Sequence, residues 1–455
     1  MRTCLFHSGL SNKDKPVPVI LISRLLLLGL MFSFSLESLA ELSMAKAEKL
    51  ALTSDPAILA QQSKADSLSA EAIAKGQLPD PKIGLSLVNV PVNDFDLERE
   101  PSTQFRTKIL QSFPRGDTLK YQQEYMMWLG KAKSASARDV AKQIRRDVRS
   151  TFLELYYQTE AEKVIRESRE LFKQMVDVTE VMFSSGRVSQ QDVLGAQLEL
   201  SRLDERAIKI SARRDIQRAK LARWLGADAA EPIDTTFPVL PQIRDKESLY
   251  QNLLEHPFLA NSTANIKANE KLIDKAREQY KPGWNVGLEY RKRFGTNQDG
   301  SNRDDMMAAV VSFDLPIFTD KRQDKTLIAS QRQADAARQQ NQIRYLELKR
   351  MLDSDYSQWQ HLGDQEKIYR DHLLKKSSAT TKAAIHAYRS GNTEYPSLIR
   401  ATVTDLNVKL QSLRIKVDRA KAQARILYLT QNTNEEFAVE ELTTAKPATQ
   451  EGDSK

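Results

Sequence analysis

The sequence predicts a mainly α-helical chain built from two copies of one unit, each copy combining a β-hairpin with a long helix. Turn-forming residues recur in the same order at nearly one spacing. Gly84 corresponds to Gly287 at an offset of 203 residues, and Gly186 corresponds to Gly391 at an offset of 205. Such a fixed offset indicates an internal repeat. Long proline-free amphipathic stretches predict the helices, and short alternating segments predict the hairpins.

The N-terminal segment, residues 1–40, has the order of a secretory signal. Basic residues precede an apolar run at 25–34, and small residues lead up to Ala40, after which we expect cleavage. The run is shorter than the ~20 apolar residues of a membrane-spanning helix. Because Cys4 is the only cysteine, the mature chain is predicted to lack disulfides and thiolate sites.

After the signal, the chain divides into two repeats and a linker. The first repeat (41–226) is predicted to contain a hairpin at about 82–113, a long helix at about 117–183 and a helix at about 189–225. The second repeat (246–430) is predicted to contain a hairpin at about 284–315, a long helix at about 320–388 and a helix at about 396–430. Residues 227–245 form the linker, and the polar tail 431–455 is predicted to be disordered.

The long helices are predicted from apolar residues at helical spacing within proline-free stretches. Val140, Ile144 and Val148 begin such a series in the first repeat. A helix over about 117–183 would be ~100 Å long at ~1.5 Å per residue. Helices in globular domains usually have about 8–20 residues. Helices of this length therefore indicate a coiled coil, a spacer or the wall of a tube.

The segments before each long helix alternate between apolar and polar residues, which is typical of β-strands with one apolar face. Their lengths approach the ~9–11 residues of a membrane-spanning strand. The residues that we expect to face lipid are Ile83, Leu85, Leu87, Phe105, Ile109, Trp284, Val286, Leu288, Met307 and Val311.

Four strands are too few to close a membrane barrel. Open sheet edges are not tolerated in lipid, and closed bacterial barrels begin at about eight strands. The chain is therefore expected to combine with copies of itself, two copies giving eight strands and three giving twelve. The same multiplication turns the long helices into a ring, which predicts a β-barrel that continues as a hollow helical tube.

Corresponding motifs lie where each long helix is predicted to end. They are residues 183–186 (FSSG) with 192–194 (DVL), and residues 388–391 (YRSG) with 398–399 (LI). With the duplicated hairpins, these motifs resemble the TolC family of outer-membrane efflux proteins over about residues 45–430. The segments 78–81 (LPDP) and 111–114 (QSFP) look most similar to the heavy-metal branch of that family, related to CzcC and CusC.

The resemblance implies a homotrimer with a twelve-stranded outer-membrane barrel and a twelve-helix tunnel in the periplasm of a Gram-negative bacterium. It implies a passive exit duct that docks onto a periplasmic adaptor protein and an inner-membrane pump of the RND type. Heavy-metal cations or drugs are the expected substrates. No cofactor and no catalysis are implied, since the pump supplies the energy.

The tips of the helical hairpins are the expected adaptor contacts. These residues are Ser185, Gly186, Arg187, Val188, Ser390, Gly391, Asn392 and Thr393. Glycine tolerates the positive φ that such a reversal often needs. The alternative interpretation is that Gly186 and Gly391 are plain helix caps without partner contact.

A candidate gate lies just beyond the tips. In relatives, the resemblance implies acidic residues six and nine positions after the second-copy glycine, but here Ser397 and Arg400 occupy those positions. The first copy has Asp192 at the sixth position. We hypothesise that Asp192 and Arg400 form ion pairs that hold the tips closed. The alternative is that both are ordinary solvated helix charges.

Composition and motifs argue against other classes of protein. The net charge of +8 is modest for 455 residues, and opposite charges alternate along the helices, so no nucleic-acid surface is predicted. The five histidines show no metal-ligand spacing, and no catalytic motif is present. The chain is therefore not predicted to be an enzyme, and neither a catalytic nor a metal site is assigned.

Two alternatives remain at this point. The duct could serve a type I protein secretion exporter, which nothing in the sequence excludes. The chain could instead be a soluble periplasmic coiled-coil or adaptor protein. An adaptor would be expected to have one helical hairpin and several small β-domains, whereas this sequence has two helical units and only two β-hairpins.

Overall fold

The computed structural model describes residues 41–53 and 55–430. The predicted signal segment and the predicted tail lie outside these residues. Two copies of one helix and strand order make up the described part of the chain, which is mainly helical with a small antiparallel sheet.

The first half contains the helices α1 (Met44–Thr53), α2 (Pro56–Lys75), α3 (Thr118–Ser184) and α4 (Gln190–Leu225). The strands β1 (Lys82–Val88) and β2 (Gln104–Phe113) lie between α2 and α3, and a short 3₁₀ helix (Gly226–Ala230) follows α4. The second half contains α5 (Lys246–Leu253), α6 (Pro257–Glu278), β3 (Gly283–Arg293), β4 (Met306–Asp314), α7 (Gln323–Ile368), α8 (Leu374–Arg389) and α9 (Tyr395–Leu429).

The four strands form one sheet in the order β1-β2-β3-β4, and every neighbouring pair is antiparallel. The pairing of β2 with β3 joins the two repeats, with Ile109 opposite Leu288 and Phe113 opposite Trp284. The outer edges of the sheet are β1 and β4. Both edges are unpaired within the described chain.

The helices pack side by side below the sheet. Helix α3 contacts α2, α4, α6 and α9, while α7 contacts α6 and α9. The largest core lies where α1 and the linker meet α3, around Leu153 and Leu221. A second core joins α5 and α7 to the end of α9, and a third lies between α3, α4 and α9. The repeats therefore share cores rather than folding as separate domains.

The linker between the repeats is packed against the helices. Leu42 and Ile233 form a parallel bridge, and the Leu42 amide donates to the carbonyl oxygen of Pro232 at 2.7 Å. Leu240 is buried in the core around α1, and the Gln423 amide donates to the carbonyl of Pro241 at 2.7 Å. This segment therefore fixes α1 against α3 and α9.

The second long helix differs from its counterpart in the first repeat. The sequence predicts one helix over about 320–388, whereas the structure has a π-helical turn, Tyr369–Leu373, between α7 and α8. The turn contains no proline or glycine, the usual sequence signals of an interruption. Within the described ranges, no helix is both long and apolar enough to cross a bilayer.

Candidate functional site

One face of the sheet is apolar and exposed. The strand register places Leu85, Thr107, Tyr290 and Met307 in one row across the sheet, and an adjacent row on the same face contains Ile83 and Ile109. All ten residues predicted to face lipid lie on this face, and each is exposed. An apolar face of this extent normally marks a surface that another apolar partner covers.

The opposite face of the sheet carries polar and charged residues. Glu289 lies between two arginines, with its Oε1 2.7 Å from Arg291 Nε and 3.6 Å from Arg106 Nε. The Ser112 hydroxyl donates to Asn285 Oδ1 at 2.7 Å. The sheet therefore separates an apolar surface from a polar one, as a strand that divides lipid from a water-filled space must do.

The first helical reversal is built around Gly186, which has a φ of +70°. Its amide donates to the carbonyl of Phe183 at 2.9 Å, and the Arg187 amide donates back to the carbonyl of Met182 at 2.9 Å. These bonds satisfy carbonyls that the end of α3 would otherwise leave free. Ser185, Gly186 and Arg187 are exposed, while Val188 is half-buried.

The second reversal repeats this geometry. Gly391 has a φ of +74°, and the Asn392 amide donates to the carbonyl of Ala387 at 2.8 Å, again five residues back. Ser390 and Asn392 are exposed, and Thr393 is half-buried. A methyl group at either glycine would meet no atom within 4 Å, so backbone conformation rather than space requires glycine here.

The two tips lie against each other within one chain. Met175 of α3, Ala196 of α4, Tyr388 of α8 and Tyr395 of α9 belong to one buried cluster. The two tyrosine rings meet edge to face with their centroids 5.9 Å apart. The structure thus brings the eight predicted tip residues to one end of the helical part of the molecule.

The candidate gate residues Asp192, Ser397 and Arg400 have different surroundings. The Ser189 amide donates to Asp192 Oδ2 at 3.1 Å and the Asp192 amide donates to Ser189 Oγ at 3.3 Å, which forms a capping box at the start of α4. Arg400 is exposed on α9, as is Ser397. Among the described residues, no ion pair joins Asp192 to Arg400 within the chain. Asp192 therefore has a local structural role that the sequence analysis missed, although the spacing from Ser189 to Asp192 could have revealed it.

A buried polar junction between α3, α6 and α9 was also not predicted from the sequence. His256 is 1% exposed and caps α6, since its Nδ1 accepts from the Phe258 amide at 3.2 Å. Its Nε2 lies 3.0 Å from the carbonyl of Tyr428, whose hydroxyl donates to Asp139 Oδ1 at 2.9 Å. Burial and the nearby charge of Lys142 lower the pKa of His256 to about 4. Burial also raises the pKa of Asp139.

The junction joins helices from both repeats, since His256 is the N-cap of α6, Tyr428 lies in α9 and Asp139 lies in α3. Asp55 occupies the corresponding cap position in the first repeat, and its carboxylate accepts from the Ala57 amide at 2.7 Å. In the sequence, the equivalent pairs Asp55-Pro56 and His256-Pro257 could have indicated these two helix caps. In the described ranges, no group of three or more histidine or acidic side chains is placed to hold a metal ion.

Comparison with known proteins connects this architecture to channels. Residues 248–430, which cover the second repeat, match the family model described as outer membrane efflux protein. A search of curated protein sequences found no match.

Several solved structures share the fold at low sequence identity. The outer membrane protein VceC from Vibrio cholerae is 15% identical, with a TM-score of 0.71 over 85% of this chain and 95% of that one. The Campylobacter jejuni CmeC outer membrane channel is 12% identical, with a TM-score of 0.72 over 89% and 90%. CusC, described with transmembrane channel formation, is 16% identical, with a TM-score of 0.69 over 86% and 93%.

The family match and the shared fold agree with the resemblance found in the tip motifs and the duplicated hairpins. The sequence-based prediction of an outer-membrane efflux protein of the TolC type is confirmed. Residues 248–430 thus match the outer membrane efflux protein family, and the described chain as a whole has the fold of solved outer-membrane channels.

Proposed function

We propose that this protein is the outer-membrane exit duct of a tripartite efflux system. Substrates would reach it from an inner-membrane pump of the RND type through a periplasmic adaptor. The exposed apolar face of the four-stranded sheet carries this proposal. Burying that face in lipid would remove it from water, while the charged face around Glu289 would line an aqueous passage.

Three copies would complete the duct. The unpaired edges of β1 and β4 leave backbone donors and acceptors free in each chain, and lipid cannot satisfy them. Pairing β1 of one copy with β4 of the next would close a barrel of twelve strands. The helices below would then form the wall of a periplasmic tunnel, with the tips around Gly186 and Gly391 facing the adaptor.

The proposed substrates are heavy-metal cations or drugs. The segments 78–81 and 111–114, which resemble the heavy-metal branch, support the metal alternative. In the structure residues 78–81 precede β1 and residues 111–113 end β2, and the Gln111 side chain donates to the carbonyl of Pro79 at 2.9 Å. A passive duct requires no tight metal site, because a wide aqueous tunnel conducts without binding.

Fractionation and conductance test the proposed function. The full chain should be expressed in a Gram-negative host, recovered from the outer-membrane fraction, and inserted into planar bilayers. We expect discrete channel conductance and an assembly of three chains in detergent. A monomer that stays in the soluble periplasmic fraction without detergent would refute the duct and favour a soluble coiled-coil protein.

The gate hypothesis needs a control that separates charge from helix capping. Asp192→Ala removes both the charge and the capping box, whereas Ser189→Ala weakens the cap and keeps the charge. If ion pairs between neighbouring copies close the tips, Asp192→Ala and Arg400→Ala should both raise the closed-state conductance while Ser189→Ala leaves it unchanged. Each exposed pair contributes only about 0–1 kcal/mol, so three sets would act together. Unchanged conductance in Arg400→Ala would reject the gate.

A further inference from the structure

A cavity of about 570 Å³ lies between α6 and α7, just below the sheet. Its polar lining includes Arg115, Lys275, Gln279, Arg322, Gln323 and Thr326. Arg115 follows β2 by two residues, and Arg322 and Gln323 lie at the start of α7. The cavity therefore lies at the boundary between the strands and the helical part of the molecule.

Three cationic side chains line this cavity, those of Arg115, Lys275 and Arg322. Lys275 is half-buried, burial lowers its pKa, and its ammonium donates to the amide oxygen of Gln122 rather than to a carboxylate. Within the described part of the chain, neither Lys275 nor Arg322 forms an ion pair. Arg115 donates to the carbonyl of Gln279 at 2.7 Å and lies 3.8 Å from Asp314, whose side chain is 67% exposed.

The nearby carboxylates have other partners. Glu278 lies 2.7 Å from Lys281 Nζ and also accepts from the Asp117 amide at 2.7 Å. Asp324 accepts from the Tyr280 hydroxyl. An uncompensated cation that is partly removed from water is unfavourable unless an anion joins it. The charge balance therefore favours an anionic ligand.

Gln323 adds a buried polar side chain to the wall of the cavity. Its side chain lines the cavity at the first position of α7, is 3% exposed, and its Oε1 is buried without a hydrogen-bond partner. The positive end of a 46-residue helix lies beside it.

We propose that this cavity binds a phosphate group, either of a phospholipid headgroup or of free inorganic phosphate. Arginine and lysine are the side chains that most often bind phosphate, arginine through paired hydrogen bonds and lysine as a point charge. A phosphate carries enough negative charge to balance two of the three cations. The inference goes beyond the proposed efflux function and does not rest on which substrate is exported.

The test uses the full chain purified in a phosphate-free detergent. One arm titrates inorganic phosphate by calorimetry, and the other adds phosphatidylglycerol and detects retained lipid by native mass spectrometry. Wild type is compared with Arg322→Gln, which changes an exposed residue and should fold normally, and with the double variant Lys275→Gln/Arg322→Gln. Lys325→Gln is the matched control, because it removes an exposed charge from α7 outside the cavity lining.

We expect one ligand to bind the wild type and the Lys325→Gln control equally, and to bind Arg322→Gln about tenfold more weakly. Whether phosphate or lipid shows this pattern identifies the source of the phosphate group. The proposal fails if neither ligand binds, or if Arg322→Gln binds as tightly as the wild type. Conductance of the same preparations is measured in parallel, so a conducting channel without ligand binding overturns only this site.

Discussion

At the scale of single residues, the tip glycines show how backbone conformation fixes sequence. Gly186 and Gly391 have a positive φ, and a methyl group added at either would meet no atom, so the cost of another residue is conformational rather than steric. The two tips have equivalent hydrogen bonds and the same positive φ at the turn. Because this conformation favours glycine, both copies have a glycine at this position. A glycine after an amphipathic helix is a strong end signal, and in the structure the helices before Gly186 and Gly391 end at Ser184 and Arg389.

Replacing either tip glycine with alanine should lower the free energy of unfolding by about 1 to 2 kcal/mol, the cost of a left-handed conformation for an L-residue. Ser185→Ala is the control, since Ser185 has a negative φ of −90°. Thermal unfolding of the purified variants measures the difference. If Gly391→Ala and Ser185→Ala are equally stable, the backbone requirement is wrong.

The buried His256 should make stability depend on pH. The folded chain holds this imidazole neutral down to about pH 4, whereas in an unfolded chain it would bind a proton near pH 6.5. Between these values the unfolded state binds more protons, so stability falls as the pH is lowered from about 6.5 to 4. The loss is on the order of 3 kcal/mol.

His256→Asn keeps a good helix-capping side chain but removes the titration. The stability difference between wild type and this variant, measured by denaturant unfolding at a series of pH values, should therefore change across pH 4 to 6.5. The comparison cancels the contributions of groups common to both proteins, including Asp139. A difference that is constant over this range would contradict the prediction.

At the scale of elements, the sequence revealed the first repeat better than the second. Ile144 and Val148, picked from helical spacing on α3, are buried as expected. In α7, however, the apolar Ile343 and Leu346 at helical spacing are exposed, and the large apolar residues that are buried are Leu348 and Leu352. Apolar residues lie on more than one face of α7, so periodicity alone could not select the face that packs within the chain.

Other features of the elements could not be predicted. The π turn at Tyr369–Leu373 has no breaker residue, and the pairing of β2 with β3 joins segments more than 170 residues apart. The junction at His256 depends on that long-range packing as well. Local pattern therefore identified helices, strands and tips, whereas contacts between the repeats needed the three-dimensional structure.

The two faces of the sheet should respond differently to an introduced charge. Leu288→Arg places a cation on the apolar face, where burial in lipid would cost about 2 to 4 kcal/mol near the centre of a bilayer. Ala308→Arg places the same charge on the polar face, where Ala308 pairs with Glu289. We expect the first variant to insert poorly into vesicles and the second to insert normally. Equal insertion would exclude lipid contact for Leu288.

At the scale of the whole molecule, the unpaired sheet edges predict the assembly. Cysteines introduced at Ser86 in β1 and at successive polar-face positions of β4 should form disulfides between neighbouring chains, giving covalent products that end at the trimer. Gly84→Cys with Lys108→Cys is the control, since these residues are register partners within one chain. Electrophoresis without reductant distinguishes the two results. Products restricted to dimers would refute a three-membered ring.

The direct pairing of β2 with β3 bears on how such a ring could form. A closed barrel of three chains would contain six hairpins and therefore six seams, meaning strand pairings between neighbouring hairpins. Three of these seams would be the β2–β3 pairings already present within each folded chain. Only three seams would then depend on collisions between molecules. Carrying two hairpins in one chain thus halves the number of encounters that closure requires, and it lets the two halves differ, as the caps Asp55 and His256 do.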